Sequence, residues 1–376
     1  MLLLHLSDLH LSRYGETRKW TQVDEDPDDW ESLHTWRHWR IDGQRDRKGR
    51  PDKLRLVDPV GIVHTTTGWP SKKEDKAIAA FLELAMERQR TSTDELISHR
   101  PSPEDIDSLL RIDPDNTNLR FLQLLDQLLP LEPDIIAVTG DLTDNGLGYG
   151  LVEHYLEPWI KNRRLLVVPG NHDTYEMFPG KGRKARLEAK LERYQRFAES
   201  VGMAPDPSGA FVRTIDDLAF IGLSSCKPPR TPLSASGEVD SDQLERLEEL
   251  SHDEAFMHAR LRIGLVHHHL LRMPFELGKR MPVEMGLRLR NAREFMAAST
   301  KAHIDVLLNG HRHHGYMVKL PGHPLVISSP SSTLGCKSTE MRYVWLVNLD
   351  HKVPHATVHR FTEDRASDRD DEDETE

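Results

Sequence analysis

The chain has 376 residues, a hydrophobic fraction of 37% and a charged fraction of 30%, the profile of a globular protein able to bury a large core. No apolar run approaches the roughly 20 residues of a bilayer span. The opening Met1–His10 lacks the basic and long apolar regions of a secretory signal, and two cysteines, Cys226 and Cys336, are too few for a disulfide framework or a four-cysteine zinc site, so the expected compartment is the cytoplasm. The net charge of −11 sits largely in the tail, where Glu363–Glu376 carries nine carboxylates against two arginines. That segment is expected to be disordered, and the nearly neutral body offers no global basic field for nucleic acid.

In chain order, the apolar run Leu2–Leu6 ends abruptly in Ser7-Asp8-Leu9-His10. Residues 11–118 then break the rhythm, with Trp20, Trp30, Trp36, Trp39 and Trp69 set among many charges and few strand signals. Within them, Asp75–Gln89 spaces Ile78, Phe81, Leu82 and Met86 for one helical face, and Ser102-Pro103-Glu104-Asp105 opens another short helix. The segment reads as a large helical and irregular insertion after the first strand, a cap or flank without an independent core. A single domain over residues 1–362 would contain it. A helical stripe follows at Leu119–Leu129, after which Ile135–Val138 meets Thr139-Gly140-Asp141 and Leu165–Val168 meets Pro169-Gly170-Asn171-His172-Asp173. Arg183–Val201 and Gln243–Leu250 are helical in pattern, Ile263–Val266 runs into His267-His268-His269, and Ile304–Leu308 into Asn309-Gly310-His311-Arg312-His313. Tyr316–Leu320, Leu325–Ser328, Arg342–Leu349 and Val353–Phe361 predict a β-rich ending, a second sheet packed on the first.

Short continuous apolar runs fit strands buried on both faces, and their alternation with helices predicts an α/β layered fold. Ligands in such folds gather beyond the carboxyl ends of strands, where all five polar clusters stand. The clusters offer carboxylates, imidazoles and an amide oxygen, a mixture suited to two divalent cations such as Mn²⁺, Fe²⁺ or Zn²⁺. Gly140 and Gly310, each just before a donor, permit close backbone approach.

The blocks Asp8-Leu9-His10, Gly140-Asp141, Gly170-Asn171-His172-Asp173, His267 and Gly310-His311-Arg312-His313, in this order, resemble the signature of the calcineurin-like metallophosphoesterase superfamily. The resemblance implies a four-layer αββα sandwich of two mixed sheets flanked by helices. It also implies two adjacent metals, drawn from Mn²⁺, Fe²⁺/Fe³⁺ and Zn²⁺: one held by Asp8, His10 and His313, the other by Asn171, His267 and His311, with Asp141 bridging. His267 is preferred to His268 because it comes first after the strand. Two such cations would lower the pKa of a bridging water and deliver hydroxide in line to phosphorus. His172 would protonate the departing alkoxide, oriented by Asp173, or else only position Asn171. His5, inside the apolar strand, reads as structural.

The substrate implied is a small phosphoester, a nucleotide being one candidate. Ile221-Gly222-Leu223-Ser224-Ser225, Gly237-Glu238-Val239-Asp240 and the serine-rich Ser328–Thr333 resemble the bacterial phosphodiesterase branch, which acts on cyclic nucleotides and glycerophosphodiesters. A phosphomonoesterase and a nuclease of the same superfamily are the alternatives, and a non-catalytic scaffold is a distant one, which would predict missing ligands. The stretch from position 10 to position 141 exceeds the usual gap between the first two blocks, so the insertion either roofs the site or pairs two copies into a homo-oligomer. Eight Lys/Arg between Arg37 and Arg55, with Trp36 and Trp39 beside them, form either a phosphate- and base-binding patch or a solvated face over a satellite core. Nothing in the sequence indicates a membrane partner.

Overall fold

Strand β1 (Leu2–Leu6) buries both faces, as an unbroken leucine run requires. It opens a computed structural model that describes residues 1–16, 22–23, 30–59, 61–70, 73–144, 146–176, 182–227, 234–271, 287–335 and 341–361. The acidic segment 363–376 lies outside the described residues. After β1 come β2 (Gln22–Val23), β3 (Glu31–Trp36), β4 (Trp39–Arg45), β5 (Pro51–Val57), β6 (Ile62–Gly68), and helices α1 (Glu74–Arg90), α2 (Thr93–Ser98) and α3 (Pro103–Ile112). The chain continues through α4 (Thr117–Leu128), β7 (Ile135–Thr139), α5 (Tyr149–Tyr155), α6 (Glu157–Lys161), β8 (Leu165–Val168), α7 (Asn171–Thr174), α8 (Arg183–Ser200), β9 (Ala210–Ile215) and β10 (Leu218–Leu223). It ends with α9 (Ser241–Leu250), α10 (Glu254–His258), β11 (Leu261–Leu265), α11 (Ala292–Lys301), β12 (Val306–Asn309), β13 (Tyr316–Lys319), β14 (Leu325–Ser328), β15 (Tyr343–Asn348) and β16 (His355–Arg360).

Two mixed sheets form the centre. The first has the order β16-β15-β1-β7-β8 and the second β13-β14-β12-β11-β10-β9. β1, β7 and β8 run parallel, as do β10, β11, β12 and β14, with antiparallel strands at the margins. In the second sheet the period of two sorts side chains between layers. Phe220, Leu265, Leu308 and Ile327 join the core shared with the first sheet, where Leu122 and Leu125 of α4 and Val152 of α5 also pack. Ile221, Leu307 and Val326 point the other way, against Leu247 of α9 and Phe295 of α11. The result is the four-layer αββα sandwich. Each fully buried leucine contributes about 2 kcal/mol. Among the described residues no helix is long and apolar enough to cross a membrane.

Two expectations are corrected. The insertion is not strand-poor: β2-β6-β5-β4-β3 make a third, antiparallel sheet, and it has a satellite core of its own in Trp39, Ile41, Leu54, Leu56 and Trp69, packed on Phe81 and Ala85 of α1. α2 and α3 instead bury Leu96, Ile106 and Leu110 in the common core. The C-terminal strands do not form one separate sheet. β13 and β14 extend the second sheet, whereas β15 returns beside β1 with Leu3 opposite Val347 and carries β16 outward.

His5 is fully buried in β1, its Nε2 hydrogen-bonded to Thr139 Oγ1 at 3.0 Å. Burial lowers its pKa to about 3, with Asp8 opposing weakly. The unfolded chain, with a histidine near 6.5, therefore binds the proton first as pH falls. The stability that neutral His5 supplies is complete above pH 6.5 and is lost towards pH 3, by about 2 kcal/mol between pH 6.5 and 5. Urea unfolding of His5→Gln is expected to show that much less acid sensitivity over this interval than the wild type; equal slopes would remove His5 as the cause.

Candidate metal centre

All five polar clusters leave the carboxyl ends of parallel strands: Asp8 and His10 after β1, Asp141 after β7, Asn171 after β8, His267 after β11, and His311 with His313 after β12. The loops are joined by backbone hydrogen bonds, Asp8 N donating to Gly140 O at 3.0 Å and His10 N to Asp141 O at 2.9 Å. The serine-rich segment after β14 braces the first turn, Ser332 N donating to Ser7 O at 2.9 Å and Ser331 Oγ to Asp8 O at 2.6 Å. Close approach explains two glycines. A Cβ on Gly140, where φ is +89°, would stand 2.4 Å from His267 Nδ1, and one on Gly310 would stand 1.8 Å from Ser7 Oγ. Asp8, His10, Asp141, His311 and His313 all occupy the left-handed region, with φ of 51°, 49°, 50°, 79° and 53°. Strained backbone is thus concentrated at the candidate donors, where surrounding packing must enforce it.

The side chains meet in two adjoining groups. In the first, His10 Nε2 and His313 Nε2 face each other at 3.0 Å, and Asp8 Oδ1 lies 3.4 Å from His313 Nε2 and 3.9 Å from His10 Nε2. In the second, His267 Nε2 is 3.1 Å from both Asn171 Oδ1 and His311 Nδ1, and 3.4 Å from Asp141 Oδ2. Asp141 also falls in a group with His10 and His172, which ties the two sets together. All seven residues read from the sequence as metal donors therefore lie in one buried cluster.

The donor set fits divalent cations. Asp8 Oδ2 is taken by Ser7 Oγ at 2.5 Å and His311 N at 2.9 Å, while Oδ1 is buried without a hydrogen bond and faces the ring nitrogens. With Nδ1 of His10 and of His267 each turned to an outer acceptor, their Nε2 lone pairs face inward beside Asp8 and Asp141, and N/O donors of this mixture suit borderline ions. The far nitrogens of two rings are held: His10 Nδ1 by Asp144 Oδ1 and His267 Nδ1 by Thr139 O, each at 2.8 Å. Such outer bonds fix tautomer and ring orientation. Burial works against ionising the carboxylates, but the facing histidines overcome it, holding Asp8 at about 2 and Asp141 and Asp144 well below the usual range. Burial likewise lowers His10 and His267, and the carboxylates more than reverse it, to about 9 in each case. Burial and neighbouring imidazoles push His311 down.

His268 points elsewhere, with Nδ1 2.7 Å from Ser225 Oγ and Nε2 2.8 Å from Ala235 O, so His267 is the ring that faces the cluster. His172 stands at its rim, its side chain 27% exposed. The expected partner of His172 is corrected: its Nδ1 meets Asp144 Oδ1 at 2.8 Å, the same oxygen that holds His10. Asp173 is buried behind the loop instead, accepting from the backbone N of Gly170 and Thr143 at 2.9 and 3.0 Å and from Tyr149 OH at 2.9 Å. A carboxylate three residues past Asp141 in the same strand-end loop was the available signal for Asp144.

A sequence model of the family described as calcineurin-like phosphoesterase matches residues 116–315, more than half of the chain. The chain belongs to the calcineurin-like phosphoesterase family. The family is one whose members use two metal ions, and β1 with Asp8 and His10 precedes the matched segment. The chain has similar solved structures at low identity. A purple acid phosphatase from yellow lupin (Lupinus luteus) seeds is 12% identical with a TM-score of 0.44, over 65% of this chain and 47% of that one, so this chain spans about half the lupin protein. A dimetal phosphatase from Danio rerio is 10% identical with a TM-score of 0.44, over 96% and 99%. An archaeal phosphodiesterase is 12% identical with a TM-score of 0.28, over 64% and 92%. No curated protein matches this chain.

Proposed function

We propose that the chain is a dimetal-dependent phosphodiesterase acting on a small nucleotide or related diester. Asp8, His10 and His313 would hold one cation, Asn171, His267 and His311 the other, and Asp141 both. The observation that carries this reading is the pair of facing imidazole contacts, 3.0 Å in one group and 3.1 Å in the other, with Asp8 and Asp141 set against them. When bound, the two ions supply an activated water and neutralise charge gathering on the phosphoryl oxygens. The preference for diesters is supported by the Ile221–Ser225 and Gly237–Asp240 patterns. These pack on the site's flank, where Ser225 Oγ anchors His268 at 2.7 Å and Gln243 clasps the backbone of Ser224 at 2.7 and 2.9 Å. Residues 11–118 belong with the rest in one domain over residues 1–362, a reading supported by Leu96, Ile106 and Leu110 in the common core.

His172 acts at the departing oxygen. The Asp144 carboxylate engages Nδ1 at 2.8 Å, which orients the ring and leaves Nε2 as the nitrogen that donates a proton. His172→Ala is expected to lower turnover about 10²-fold or more for alkyl esters and far less for nitrophenyl esters, whose leaving groups need no proton. An equal loss on both would make His172 a positioning residue only. The diester preference is tested by comparing bis-p-nitrophenyl phosphate, p-nitrophenyl phosphate and cyclic nucleotides in Mn²⁺. A kcat/KM at least about tenfold higher for a diester is expected, and a monoester preference overturns the reading while leaving the family intact.

A further inference from the structure

Next to the metal-facing histidines lies a cavity of ≈ 580 Å³ between the end of β11 and the start of α11. His269 forms part of its wall and stacks on His311, ring centroids 5.9 Å apart and planes 11° from parallel. The cavity thus begins one imidazole away from the candidate metal centre. Among the described residues its lining carries Arg288, half-buried, and the exposed Arg290 and Arg293, against one carboxylate, the exposed Glu294. Arg290 meets Glu238 at 3.0 Å. Among the described residues Arg288 and Arg293 have no ion pair, and Arg288 Nε is buried without a hydrogen bond. A buried guanidinium N–H without an acceptor is costly, and its fork geometry suits phosphate oxygens.

The arginine segment is held in place before any ligand arrives. Gly237 N donates to Arg288 O at 3.1 Å and Arg290 N to Gly237 O at 2.9 Å. The Asn291 side chain donates to Val239 O at 2.8 Å and accepts from Val239 N at 3.1 Å. Arg288 and Arg290 on a braced loop, with Arg293 in the first turn of α11, beside a phosphoryl-transfer centre make an anion subsite that needs little reorganisation.

We propose that this cavity binds a phosphate group of the substrate other than the one hydrolysed, so that the preferred substrates are phosphodiesters carrying a further terminal phosphate. The proposal rests on the phosphodiesterase reading of the metal centre. It is tested with thymidine 5′-(p-nitrophenyl phosphate) and the same ester bearing a 3′-phosphate. The wild type is expected to favour the phosphorylated ester at least about tenfold in kcat/KM, mainly through KM, and Arg288→Ala/Arg293→Ala to bring the ratio to about one, with Arg288→Lys between them. A binding arm needs no catalysis: calorimetric titration of the full chain, kept in EDTA, with inorganic pyrophosphate. The double variant is expected to bind at least about tenfold more weakly. An unchanged ester ratio, or equal pyrophosphate affinity in both proteins, overturns the proposal. Loss of pyrophosphate binding without any advantage for the phosphorylated ester also overturns it, since the cavity would then hold a free anion. If neither ester is cleaved, the phosphodiesterase reading fails, and the pyrophosphate arm still decides the cavity.

Discussion

Replacing Asp141 with alanine is expected to abolish hydrolysis of bis-p-nitrophenyl phosphate, by at least about 10³-fold in kcat/KM, and to reduce metal content from two ions per chain to one or none. Asp141 is the residue common to both sides of the cluster: Oδ2 lies 3.4 Å from His267 Nε2, and Oδ1 accepts from His172 N at 2.7 Å. It also groups with His10 and His172 on one side and with His267 and His311 on the other. Removing it takes from His267 the chief carboxylate that favours its charge, leaves His10 with Asp144 and Asp8, and would leave two cations without a shared anion between them. Repulsion between neighbouring divalent ions then falls on the remaining ligands. Metal analysis by mass spectrometry and steady-state kinetics on the same preparation check both halves. Two ions retained with wild-type turnover would remove Asp141 from the bridging position.

The central sandwich was readable because parallel strands buried on both faces leave unbroken apolar runs, and because the polar residue that ends each run must sit at a carboxyl end. Leu2–Leu6, Ile135–Val138 and Leu165–Val168 are of this kind, and they place Asp8, Asp141 and Asn171 without any knowledge of the sheet order. The insertion's sheet was hidden for the opposite reason. β3 buries no residue, β4 and β5 bury both faces only over residues 41–43 and 54–57, and bulges between Ser32 and His34, Gln44 and Arg45, and Leu56 and Val57 shift the period of two partway along each pairing. Arg55 is moreover buried in a strand, paired with Asp42 at 3.2 Å and lying over Trp30, where a sequence reading finds only surface charge. The fate of the C-terminal strands depended on pairing partners far apart in sequence, such as Leu3 with Val347, which no local pattern encodes. Asp173 shows a further limit. Adjacency to His172 in the chain suggested contact, but at the start of α7 consecutive side chains diverge, and the carboxylate turns inward to tie Gly170 and Thr143.

Asp144→Asn is the variant expected to separate two functions that one oxygen serves. Asp144 Oδ1 takes Nδ1 of His10 and Nδ1 of His172, both at 2.8 Å, and the two rings lie edge to face with centroids 4.8 Å apart. An amide of the same size keeps the shape and one acceptor but removes the charge. His10 then becomes a less basic and less firmly oriented donor, so affinity for the first cation is expected to fall about 10- to 100-fold. His172 loses the carboxylate that engages its Nδ1 and orients the ring, so alkyl esters are expected to suffer a further loss of about 10²-fold that nitrophenyl esters escape. Titrating Mn²⁺ distinguishes the two parts: excess metal restores hydrolysis of the nitrophenyl ester, since the cation site can be filled by mass action, while the alkyl ester stays slow at saturation. Full recovery of both esters would confine Asp144 to metal binding. Failure to recover either, with the metal site shown to be filled, would mean that the carboxylate shapes the whole loop instead of its two histidines.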